Sequence, residues 1–281
     1  MSNPATSQDI SKWVIYSRAF RGLMLRDLRV LSRELAPFLI RIAMNPLLFL
    51  FVFTYVMPHM TAGTANPVGG MAAAAPGGFG TVLLPGLMAV GIMFSGIAAV
   101  ALPLSVEFGV TREIDDRVMC PLPIPAVAAE KIVFSAIQSI LAACLVFPLA
   151  YYIPSTPVLV HIGSWPFLIA VVVLASLVSG ALGLTIGTSV QPKQIGLIFG
   201  VVVVPITFLG CVYYPWAALT HIRWLQIGVL INPIVYMSEG LRAALTPSRH
   251  MPEAMILAML VFFLALLSWI GMRGFARRVL S

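Results

Sequence analysis

Six apolar runs organise this chain, at residues 37–57, 82–105, 132–153, 165–190, 195–213 and 254–272. A helix needs roughly 20 apolar residues to cross a bilayer, and each run is about that long. The pattern predicts an all-α integral membrane protein, with residues 1–281 forming one domain of six transmembrane helices. No Asp or Glu falls inside these runs; Glu107 sits just past the second. Residues 58–81, rich in Gly, Ala and Pro, read as a loop between the first two spans.

Two further stretches carry a different pattern. Residues 9–35 are too charged to span, yet Ile10, Trp13, Val14, Phe20, Met24, Leu28, Leu31 and Leu35 fall on one side of a helical wheel. Lys12, Arg18, Arg26, Arg29 and Arg33 take the other, with Arg21 the exception. This is the signature of a helix lying in the membrane interface, either as an anchor alone or with its polar face also touching a partner. Residues 214–250 hold two apolar segments that are each too short to cross, divided at Asn232-Pro233. Proline there breaks the helix. Short apolar segments of this kind predict a re-entrant helical hairpin before the last span, buried in protein or reached by water.

Composition supports the membrane class: 60% of residues are hydrophobic and only 10% charged, with a mean hydropathy of +0.99. Charge sets the orientation. With both termini inside, 13 of the 17 Lys and Arg residues are cytoplasmic (12, 18, 21, 26, 29, 33, 112, 117, 131, 193, 273, 277 and 278), while Arg223, Arg242 and Arg249 lie outside. Arg41 falls within the first span, placed to snorkel to the headgroups or to attract an anionic one. The excess of basic residues is thus a positive-inside bias rather than a nucleic-acid footprint.

Catalytic chemistry finds no foothold. There is no G-x-x-x-x-G-K-[ST] phosphate loop. No Ser/His/Asp or Cys/His set falls on one side of the membrane, and the four histidines are scattered over loops. The absence of a carboxylate within any run counts against an ion-coupled carrier. Gly180, Gly183 and Gly187 share one helical face and permit close helix contact, within the chain or between subunits.

The charge is concentrated instead at residues 106–131, which hold five of the ten acidic residues: Glu107, Glu113, Asp115, Asp116 and Glu130. Glu113 and Arg117 are spaced as an i, i+4 helical pair, and Pro121, Pro123 and Pro125 then interrupt the helix. Ile114, Val118, Met119 and Leu122 are mixed among the charges. A solvated loop has no need of them; a loop docked in another protein's groove does.

Here the chain resembles the membrane subunits of type-2 ATP-binding-cassette exporters. The resemblance rests on Arg112-Glu113, Arg117, Pro121 and Lys131 in this loop, on "LLPGLMAV" from Leu83, and on Tyr214-Pro215, Asn232-Pro233 and Glu239…Arg242 in the segment after the fifth run. It departs at Ile114-Asp115-Asp116, where the family often has Gly, and in the extra Pro123 and Pro125.

The resemblance implies a permease that dimerises, as a homo- or heterodimer, in the cell inner membrane. A separate cytoplasmic ATPase subunit would bind ATP and Mg, leaving this chain without a cofactor. Glu107, Arg112, Glu113, Asp116, Arg117 and Pro121 would couple to that ATPase. Arg18, Arg26, Arg29 and Arg33 would belong to the interfacial helix, and Tyr214, Pro215, Asn232, Pro233, Glu239 and Arg242 to an outer gate. The expected partners are the ATPase, a second permease and lipids, with no nucleic acid. The expected cargo is a hydrophobic drug, lipid or lipid-linked molecule. Polysaccharide or glycolipid export remains an alternative, as do an ATP-independent scramblase, an ion-coupled carrier and a purely structural subunit.

Overall fold

The computed structural model describes residues 12–56, 59, 78–111, 122–152, 160–247 and 250–279. Among them every regular element is helical. The long helices are α1 (Lys12–Arg33), α2 (Leu35–Leu50, continued by a π turn at Phe51–Val56), α3 (Gly78–Val106), α4 (Ile124–Tyr152), α5 (Trp165–Ser189) and α6 (Ile195–Phe208). The short α7 (Arg223–Gly228) is flanked by two 3-10 turns and leads into α8 (Pro233–Leu245) and α9 (Glu253–Val279).

Four stretches are long and apolar enough to cross a membrane: Leu83–Gly109, Ile124–Val146, Trp165–Ser189 and Glu253–Val279. The expected first and fifth spans appear as shorter apolar helices, Leu35–Met44 within α2 and Ile195–Phe208. The fifth was expected to reach Tyr213, but α6 stops at Phe208 because the chain turns at Gly210 and Cys211. Cys211 holds a left-handed φ of 52°, which no helix can continue. α4, in contrast, starts earlier than the apolar run does, and so carries Glu130 and Lys131 inside the helix, both buried. Carboxylates therefore do lie within the apolar helices, contrary to the sequence expectation. For Glu107 the counter-charge of Lys131 makes that possible.

α5 forms the axis of the bundle, packed against α3, α4 and α9. Its start is set by Ser164, whose hydroxyl accepts the Phe167 amide at 3.4 Å, with Pro in the first turn. The small-residue face resolves as packing within the chain. A Cβ on Gly183 would sit 2.9 Å from the Ile97 backbone, and one on Gly187 3.2 Å from the Ala101 Cα. Ser139 of α4 and Ser179 of α5 meet at 3.4 Å in the neighbouring interface.

α1 lies against the α4 side of the bundle. Leu23 and Leu31 are buried and Phe20 packs against the cluster that holds Leu23, whereas Val14 and Leu35 are exposed. The seated face is thus narrower than the expected one, and rotated to bring in Leu23. Arg18, Arg26, Arg29 and Arg33 all occupy exposed positions, as expected.

The tightest approach is at the other end of α3. A Cβ on Gly86 would lie 1.9 Å from the Val212 carbonyl oxygen, so only glycine admits the loop after α6. Gly86→Ala is expected to destabilise the protein by about 1–3 kcal/mol through this overpacking. Gly22→Ala, at a helical position with open space around it, should be neutral or slightly stabilising. Thermal unfolding of the purified variants in detergent checks the contrast; equal midpoints would remove the claimed contact.

Candidate functional site

The charged loop is rooted at both ends. α3 runs into a π turn at Glu107–Thr111, and α4 begins at Ile124. Across this gap the Lys131 ammonium lies 2.9 Å from both oxygens of Glu107, a buried ion pair spanning 24 residues of sequence. A lone charge in an apolar bundle is strongly disfavoured, so the two residues hold α3 and α4 in one register. Glu107 was expected to contact a partner; here it is buried and faces Lys131.

The rest of the root is fastened as well. Leu122 is buried with Leu23, Val100, Val127 and Phe275, so this chain's own core accounts for it without a partner's groove. Phe108 meets Phe275 edge-on at 6.1 Å between ring centres. Arg278, near the end of α9, stacks over Phe108 at 5.0 Å and donates to the carbonyls of Gly187 (2.9 Å) and Val190 (2.8 Å). These carbonyls close α5, where a cation also complements the helix dipole. The other residues expected to couple to an ATPase, Arg112, Glu113, Asp116, Arg117 and Pro121, lie outside the described residues, as do Ile114, Val118 and Met119.

At the opposite end of the bundle the predicted gate residues do come together. Asn232 caps α8, accepting the Ile234 amide at 3.1 Å, and Pro233 occupies the first turn. The Asn232 amide also donates to the Ile206 carbonyl at 2.6 Å, tying α8 to α6. Asn232-Pro233 is therefore a helix start that doubles as a tether. Glu239 and Arg242, both 0% exposed, form an ion pair one turn further on. Glu239 Oε1 accepts the Trp216 amide at 3.0 Å, and Arg242 donates to the Cys211 carbonyl at 3.1 Å. Ser238 donates to the Gly210 carbonyl at 2.8 Å. One helical face thus satisfies the backbone of a turn that no regular structure supports.

Tyr214 and Pro215 sit half-buried in that turn, between the clasped residues. The two halves of the expected hairpin differ. α8 is buried nearly throughout, against α3, α5 and α9. The first half presents Trp224 and Ile231 at 77% and 80% exposure. Arg242, expected on an outer segment, is accordingly a core residue whose charge is balanced within the helix.

A model of the ABC-2 type transporter family matches residues 18–246, which include both ends of this architecture. The chain belongs to the ABC-2 type transporter family. It is similar to the inner membrane transport permease YadH of Escherichia coli K12, 27% identical over 192 residues, covering 65% of this chain and 69% of that one. Proteins of the same name in E. coli O157:H7 and Shigella flexneri match to the same extent.

The chain is thus an ABC-2 permease subunit, a transport component of a family that works with ATP-binding-cassette partners. In that light the loop root and the clasp each carry a buried ion pair, Glu107–Lys131 at one end of the bundle and Glu239–Arg242 at the other. Sequence reasoning named Lys131 and Glu107 separately but did not pair them, since only the fold closes 24 residues. It missed Arg278 as a cap and Gly86 as a contact.

Removing one member of a buried pair costs about 3–5 kcal/mol, whereas removing both is far less costly. Glu107→Gln and Lys131→Met should each sharply lower stability in detergent. The double variant should recover much of the loss, giving a large coupling energy in a double-mutant cycle. Additive effects would mean that the two side chains do not meet.

Proposed function

We propose that this chain is the inner-membrane half of an exporter in which a cytoplasmic ATPase subunit binds ATP and Mg and grips residues 106–131. The observation that carries the proposal is the rooting of that loop. Its ends are locked by Glu107–Lys131, and Leu122 is sunk into the core, so a push on its tip is delivered to α3 and α4 together. Arg112, Glu113, Asp116, Arg117 and Pro121 would supply the gripped surface, with α1 beside them.

The permease carries six spans with both termini cytoplasmic, α2 and α6 being the first and fifth, and works as a dimer around a central path. The charge bias of 13 cytoplasmic to 3 outer basic residues supports this orientation. Residues 214–250 form the re-entrant outer segment, and the clasp of Glu239 and Arg242 on the Cys211 turn holds it closed. The cargo is a hydrophobic drug, lipid or lipid-linked molecule moved outward.

Buried Glu107 and Glu130 revive one alternative, an ion-coupled carrier, because carboxylates within apolar helices are the usual ion ligands. Glu107 is already neutralised by Lys131, which favours the ATPase-driven reading.

Charge reversal at the tip decides between a gripped and a solvated loop. Solvated surface positions change stability within about 0.5 kcal/mol, whereas a like charge set across an interface costs several kcal/mol. Glu113→Lys and Arg117→Glu should leave the permease folded but lose the co-purified ATPase, or retain it and uncouple hydrolysis from export. Full binding with full coupling in both would refute the grip. For orientation, a variant retaining only Cys120 should react with a membrane-impermeant maleimide in inverted vesicles and not in intact cells. Labelling in intact cells would reverse the topology.

A further inference from the structure

A cavity of about 650 Å³ opens between α1, α2, α3 and α4, beside the loop root. Its apolar wall comes from Leu31, Phe38, Leu102 and Phe134. Its polar groups are Arg26 and Asp27 on α1, Glu34 at the junction of α1 and α2, the Glu107–Lys131 pair, and Gln138 deeper in. This volume falls within the range of pockets that hold small ligands, and the lining has their character, mostly apolar with a few placed polar groups.

Gln138 gives the cavity a direction. It is 7% exposed, and its amide has no hydrogen-bond partner among the described residues, although it lines the space. A buried amide in an apolar bundle is costly unless something in the cavity satisfies it. It stands seven residues beyond Lys131, about 10 Å further along α4, so an occupant must be elongated. The charge is unusual for this protein. Three carboxylates face two cations in the lining, a formal balance of −1, in a chain whose net charge is +7.

We propose that this cavity binds an amphiphile bearing a protonated amine, its apolar body against Leu102 and Phe134 and its polar groups meeting Gln138 and the Glu34 carboxylate at the rim. An aminophospholipid of the surrounding leaflet and an amine-bearing cargo share this chemistry. The site goes beyond the permease reading and needs no ATPase to be occupied.

The test uses the full chain in phosphatidylglycerol nanodiscs with a diazirine-bearing dodecylamine, mapped by peptide mass spectrometry. The matching dodecanol probe is the control. The amine should label cavity peptides at least fivefold more than the alcohol. Glu34→Gln, at an exposed position, should lower labelling about threefold, the scale of one rim charge. Ala99→Trp should abolish labelling by filling the space, and Ala98→Phe serves the same end if that variant misfolds. Where added phosphatidylethanolamine suppresses the signal, the natural occupant is a lipid; where it does not, the amine comes from a cargo. Equal labelling by the alcohol, or labelling unchanged in Glu34→Gln and in the filled variant, would overturn the proposal. These readouts stay informative even if the loop proves not to bind an ATPase.

Discussion

A charge held among apolar helices must bring its counter-charge with it, and that requirement fixes more of this structure than any apolar contact. Hydrophobic packing is non-directional, and helices joined only by it can slide or turn at modest cost. An ion pair with hydrogen-bond geometry cannot be stretched without exposing both members. Glu107–Lys131 acts between two helices and therefore sets their register. Glu239–Arg242 acts within one helix, so its spare capacity is turned outward, onto the Trp216 amide and the Cys211 carbonyl. The first pair joins elements. The second recruits a turn.

Much of the architecture was legible from apolar runs alone, because a helix that must satisfy its own backbone leaves a continuous apolar signature. The third run illustrates the limit. Hydropathy places the start of the apolar run at residue 132, since Glu130 and Lys131 interrupt it, yet α4 begins at Ile124. Averaging along the sequence cannot see that Lys131 is neutralised from α3. The fifth run errs the other way. Residues 209–213 are apolar but stand in a turn, and the signal for that turn is the three-dimensional demand of Gly86 and Arg242 on the backbone of Val212 and Cys211.

The candidate site was legible in identity more than in role. Asn232, Pro233, Glu239 and Arg242 were singled out, and they do assemble. Their work differs from the expected break, since Asn232 starts a helix and tethers α6. Leu122 shows the opposite case. An apolar residue among charges suggested a partner's groove, but its burial in this chain's own core removes one of four such residues from that argument. α1 was recognised by its amphipathic pattern, while the seated face could be found only once the bundle existed to receive it.

α3 is the element that meets both ends. At one end its Gly86 lies against Val212, beside the turn that Arg242 clasps; at the other, Glu107 is locked to Lys131. Neither contact has slack: one is backbone against backbone, and the other a pair that cannot be parted cheaply. In the proposed exporter, displacement of the loop root would tilt or shift α3 as a whole, or bend it at Pro103, which lies inside the helix one turn before the root. The two cases differ in consequence. A rigid tilt changes the pressure of Gly86 on the Cys211 turn, while a bend at Pro103 spends the motion within a turn of the loop. Coupling between sites needs an element with two arrangements that both sites bias, and α3 meets the first half of that requirement by touching both. In the exporter proposed above, the second half would rest on how α3 yields between the Gly86 contact and the Glu107 root, a stretch that contains Pro103.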